Sequence, residues 1–143
     1  PRVANLTELL REIAEQAQRN GGLIDLHCEG SFNMPFRPNA LKRAITNLID
    51  NALRYAKHVW IRAGQRVDAI EILIDDDGPG IPADKRDDVF RPFFRLDSSR
   101  NPDTGGSGLG LAIALDIVRG HGGDIELADA PTGGLRARIR LPL

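Results

Sequence analysis

The feature that most constrains this chain is an apolar stripe. Across residues 40–56, Leu41, Ile45, Leu48, Ile49 and Ala52 recur at helical spacing and lie along one side of a helix. A stripe that long must be covered, and the strand-like segments on either side are what can cover it. Asn39 is placed to cap this helix. A second amphipathic helix is expected over 5–18, from Leu6, Leu9, Leu10, Ile13, Ala14 and Ala17, ended by Asn20-Gly21-Gly22. A third is expected over 108–119, stopped by Gly120, Gly122 and Gly123.

Between the helices lie alternating or β-branched runs. Residues 23–27, 58–62, 69–74, 124–127 and 135–141 read as strands, with turns at 64–66 and 131–134. Residues 29–38 read as a loop, 81–90 as a short helical turn, and 91–106 as a stretch poor in apolar periodicity. No repeat or linker interrupts the chain, so residues 1–143 read as one domain. Interleaved helices and hairpin-like strand pairs point to an α/β fold: a mixed sheet covered on one face by helices, a two-layer sandwich.

Composition excludes several classes of function. A formal net charge of −1 gives no general attraction to nucleic acid. The chain is 41% apolar and 27% charged, as expected of an ordinary globular domain. No apolar run is long enough to span a bilayer, and the start lacks a signal-peptide pattern, so direct membrane insertion or export of this segment is not expected. Pro1, with no preceding Met, reads as the start of a fragment. The single cysteine, Cys28, reads as a core thiol.

Three constellations carry chemistry. Asn47, Asn51 and Arg54 fall at i, i+4 and i+7, on one flank beside the stripe. Carboxamide oxygens there can complete a magnesium shell whose other ligands are water and phosphate oxygens; a solvated helix flank is the alternative. Asp75-Asp76-Asp77-Gly78-Pro79-Gly80-Ile81 delivers acids from a strand end into a glycine turn. A carboxylate there can accept a hydrogen bond from an exocyclic amino group while Ile81 covers the ring; a surface turn is the alternative. Gly105-Gly106-Ser107-Gly108-Leu109-Gly110-Leu111 opens a helix and can offer backbone N–H groups to phosphate, or act only as a hinge. Its spacing is neither the dinucleotide fingerprint nor a P-loop.

The order NLIDNALRY, DDDGPGI, FRPFF, GGSGLGLAI resembles the catalytic ATP-binding domain of bacterial sensor histidine kinases, within the GHKL superfamily that also holds gyrase and MutL ATPases. The pattern from FRPFF onward is similar to osmosensor kinases of the EnvZ type. The resemblance covers nearly the whole chain and implies the Bergerat (GHKL) ATP-binding fold, with ATP and Mg2+ as cofactors. It implies Asn51 as main magnesium ligand with Asn47 assisting, Asp76 on the adenine amino group and Tyr55 lining the adenine pocket. Arg54 would approach phosphate, and Asn51, Arg54 and Arg95 are the implied catalytic residues. Gly78, Gly80 and Ile81 belong to the first glycine box. Phe90, Phe93 and Phe94 resemble the phenylalanine box, residues 95–104 the nucleotide lid, and Gly106, Ser107, Gly108, Leu109 and Gly110 the second glycine box. Thr132-Gly133-Gly134 resembles the last box.

The related self-contained ATPases place a water-activating glutamate four residues before the magnesium asparagine. Here that position is Asn47, which cannot take a proton. The resemblance therefore implies γ-phosphate transfer to a histidine on a separate dimerisation and phosphoacceptor domain of the same parent, with a response regulator engaged indirectly. It implies a cytoplasmic location for this segment and an inner-membrane parent. None of His27, His58 and His121 is followed by the family's proline-bearing acceptor motif. A GHKL-type ATPase or serine-phosphorylating anti-sigma-type kinase, and a non-enzymatic ATP-sensing module, are the alternatives.

Overall fold

In a computed structural model, residues 2–94 and 109–143 are described. In chain order they form β1 (Arg2–Asn5), α1 (Leu6–Arg19), β2 (Leu23–Cys28), β3 (Asn33–Phe36), α2 (Pro38–Tyr55), β4 (His58–Gln65), β5 (Ala69–Asp76), α3 (Gly110–Gly120), β6 (Asp124–Asp129) and β7 (Leu135–Pro142). Two 3-10 turns, Ala83–Lys85 and Asp88–Phe90, lie between β5 and α3.

The stripe of α2 is buried along its whole length: Leu41, Ile45, Leu48, Ile49 and Ala52 are at most 6% exposed. It packs against a five-stranded sheet in the order β2-β4-β5-β7-β6. The sheet is mixed, since β2 and β4 run parallel across the α2 crossover and the remaining neighbours are antiparallel. Registry brings Ala63, Ile72, Ile139 and Ile125 into one row under the helices. Helices α1, α2 and α3 all contribute to that core, which makes the two-layer sandwich expected.

The opposite face is held by charge. Arg136 makes a bidentate pair with Asp75 at 2.7 and 2.8 Å, and Arg138 lies between Glu71 and Glu126. These residues alternate with the core row because successive strand side chains point to opposite faces. Asp76, next to Asp75, therefore falls on the helix side, continuing Ile70, Ile72 and Ile74. An acid at the end of an apolar row is buried by its position in the strand.

Several local expectations differ from the structure. Residues 29–38 are not all loop: β3 pairs antiparallel with β1 as a separate two-stranded sheet, burying Phe32, Met34 and Phe36. Asn39 does not cap α2; Pro38 occupies its first turn, where a missing N–H costs nothing, after Arg37. Gly64 lies within β4, and the hairpin turns at 66–68 instead. Cys28 sits at the margin of the core, half-buried, where burial raises its thiol pKa despite the nearby Arg11 charge.

Candidate nucleotide cleft

Helix α3 runs antiparallel along only the first part of α2. At one end the backbone N–H of Arg37 donates to His121 Nε2 at 3.0 Å. At the other, Asn47 Nδ2 donates to the Gly110 carbonyl at 3.2 Å. The last turns of α2 extend beyond the start of α3 and leave a recess over the sheet. Leu48, Asn51 and Ala52 of α2 line it, with Leu111 of α3, Ile74 and Asp76 of β5, Leu127 of β6, and Leu135 and Ala137 of β7. The cleft encloses about 310 Å³, counting space open to solvent.

Asp76 is its main polar group. The residue is 6% exposed, and its Oδ1 accepts backbone N–H groups from Gly78 and Leu135, each at 3.0 Å. Its own carbonyl accepts from Thr132 Oγ1 at 2.5 Å and from the Gly134 N–H at 3.1 Å. Burial raises the Asp76 pKa above the ordinary aspartate value, the two N–H donors lower it, and the charges of Asp77 and Asp75 raise it further. With Oδ1 saturated, Oδ2 has no donor among the described residues and is the oxygen left for a ligand.

The glycine turn is shaped by close approach. A Cβ on Gly134 would lie 2.2 Å from Asp76 Oδ1 and 2.7 Å from the Gly78 nitrogen, so no side chain fits there. Gly80 has φ +74°, a conformation glycine adopts without penalty. Gly78 packs against the Tyr55 carbonyl. Asp77, exposed on the outside of the turn, accepts the backbone N–H groups of Lys57 and His58, which lower its pKa and tie the turn to the exit of α2.

Of the other sequence-derived residues, Asn51 lines the cleft and Asn47 is half-buried beside Gly110, while Arg54 is exposed one turn further on. Tyr55 is 40% exposed and lies outside the cleft lining. Ile81 is buried with Val89 and Leu135 in a cluster that also packs Phe90, Phe94, Leu111 and Leu127, which places it beneath the cleft. Phe93 is 69% exposed and has φ 66°, a strained backbone for a bulky side chain. Leu109 precedes α3 and Gly110 opens it. Arg95, Gly106, Ser107 and Gly108, with the lid expected at 95–104, lie outside the described residues. Sequence reasoning did not single out Leu48, Leu127, Leu135 or Ala137 as cleft residues, because their spacing is that of any core position.

The donor chemistry fits magnesium. Asn51 offers a hard carboxamide oxygen at the cleft, and among the described residues no group of three or more His, Cys, Asp or Glu side chains could enclose a cation. A metal at Asn51 would take most of its ligands from phosphate and water, as magnesium does.

Residues 36–143 match the family described as "Histidine kinase-, DNA gyrase B-, and HSP90-like ATPase". The sensor histidine kinase CpxA of Escherichia coli K12 is 41% identical over 140 residues, covering 96% of this chain and 30% of that protein. The ATP binding domain of PrrB from Mycobacterium tuberculosis superposes with a TM-score of 0.83 at 30% identity, over 99% of this chain and 96% of that one. The histidine kinase domain of the E. coli osmosensor EnvZ gives a TM-score of 0.76 at 35% identity, over 99% and 88%.

Proposed function

Because the chain belongs to the histidine kinase, DNA gyrase B and HSP90-like ATPase family, we propose that it binds Mg-ATP in the α2–α3 cleft and presents the γ-phosphate to a histidine on another domain. The observation that carries this reading is Asp76: it lines an apolar cleft, its Oδ1 is held by two backbone donors, and its Oδ2 has no donor among the described residues. That arrangement suits a flat ring bearing an exocyclic amino group.

Asn51 would hold a magnesium ion, assisted by the Asn47 oxygen, and the metal would supply neutralisation of phosphate charge. Arg54 and Arg95 are the proposed phosphate contacts, and Gly106, Ser107, Gly108, Leu109 and Gly110 the proposed triphosphate-binding residues. Phe94 and Ile81 support the cleft from below, while Tyr55, Gly78, Gly80 and Thr132 complete the adenine end. Asn47 has no basicity with which to activate water. Bound nucleotide is therefore hydrolysed slowly and waits for an external nucleophile, and positioning supplies most of the catalysis.

The chain spans about 30% of the length of the curated relatives it matches. The acceptor histidine belongs, in this reading, to a dimerisation domain of the same parent, which passes phosphate to a response regulator. The parent sits at the inner membrane, with this domain on the cytoplasmic side. Among the described residues no helix is long and apolar enough to cross a membrane.

The test is transfer in trans. Given Mg-ATP alone, the chain should not label itself. Adding a dimeric helical domain with an acceptor histidine should give an acid-labile, alkali-stable phosphoprotein, and Asn51→Ala should abolish the label. Robust self-labelling, or full transfer by Asn51→Ala, overturns the reading.

A further inference from the structure

Asn47 has a second role that its place on the metal flank conceals. Its Nδ2 donates to the carbonyl of Gly110, the first residue of α3, at 3.2 Å. A carbonyl oxygen only accepts, so the nitrogen of the carboxamide must face it whichever way the group is drawn. Among the described residues, Leu109 makes no side-chain cap bond and the first turn contains no acidic residue, so beside the packing of Leu111 the Asn47 bond is what holds the start of α3. Its opposite end is fixed by the His121–Arg37 contact and by His121 Nδ1 on the Ile117 carbonyl. A Cβ on Gly110 would lie 3.9 Å from the Asn47 side chain, so the two meet in ordinary contact.

We propose that Asn47 is a positioning residue, whose N–H fixes the first turn of α3 at the phosphate end of the cleft and leaves its oxygen for the metal. This rests on the nucleotide reading above for its purpose but not for its existence, because the clasp is a property of the nucleotide-free chain. One carboxamide would then serve both the metal and the start of α3. An acid at this position would keep the oxygen and lose the clasp.

The experiment compares Asn47→Leu, a neutral near-isostere, Asn47→Asp, which keeps an oxygen, and Asn51→Ala. Amide hydrogen exchange is followed without nucleotide at Ile113, whose N–H bonds the Leu109 carbonyl, and at Ala114, which an α-helix pairs with Gly110. Loss of one neutral hydrogen bond predicts exchange about two- to tenfold faster there in both Asn47 variants, with β5 unchanged and Asn51→Ala like the native chain. With EDTA present, ATP affinity should fall by a similar factor in Asn47→Leu. Native exchange at Ile113 and Ala114 in both Asn47 variants overturns the proposal, whatever happens to ATP. Failure of the native chain to bind ATP would instead sink the nucleotide reading, and the exchange result would still decide the clasp.

Discussion

Burial lifts the Asp76 carboxyl above its ordinary pKa, and the Leu135 and Gly78 N–H groups only partly offset that lift. The raised value has two consequences of opposite sign. Folding favours the protonated form, so this group's contribution to stability improves as pH falls through the folded value. Accepting a hydrogen bond from a ring amino group needs the carboxylate, so ATP affinity should weaken over the same interval, which lies above the ordinary aspartate range. Calorimetric titration of the native chain and Asp76→Asn across that interval separates this effect from protonation of the nucleotide itself. At neutral pH, Asp76→Asn should weaken ATP about tenfold to 150-fold, since a hydrogen bond to a charged group is worth about 1.5–3 kcal/mol. Equal affinity would remove Asp76 from the adenine role. Asp77 behaves the other way: its lowered pKa adds stability above the unfolded value that is lost as pH falls through the folded one.

At the scale of the element, the α2 stripe and the glycine turn make separable predictions. Ile45, fully buried under the sheet, should cost about 2–5 kcal/mol when cut to Ala, measured by denaturant unfolding. Gly134→Ala forces a methyl group against Asp76 and Gly78, so ATP binding should drop even where the fold survives; native affinity would show that the turn can yield. What the sequence revealed follows the same division. The stripe and the acid-to-glycine turn were readable because each is contiguous and periodic. The β1–β3 pair was not, because Val3 and Pro35 meet across 32 positions of chain, and the short alternation of Phe32, Met34 and Phe36 contains Pro35 and directly follows Gly30 and Ser31. The remaining cleft residues were hidden for a different reason: Leu127, Leu135 and Ala137 alternate like any strand facing a core, and only α3 stopping short of the α2 exit opens a recess above them.

For the whole molecule, the sheet is packed on one side and ion-paired on the other, and the proposed nucleotide end lies where β5, α2 and the β6–β7 turn converge. On the charged side, His58 stacks on Trp60 with ring centroids 4.0 Å apart and planes within 7°, and its Nε2 contacts Asp25 at 2.6 Å. The His58 backbone N–H is held by Asp77, directly after Asp76. Trp60 is the chain's one tryptophan. The fold thus carries its own optical probe, linked through the His58 N–H on the Asp77 carboxylate to the turn proposed to receive the adenine. Indole emission should change as ATP is titrated in, and Asp77→Ala, which releases His58, should blunt that change. A flat trace from the native chain would mean that the turn accepts its ligand without moving.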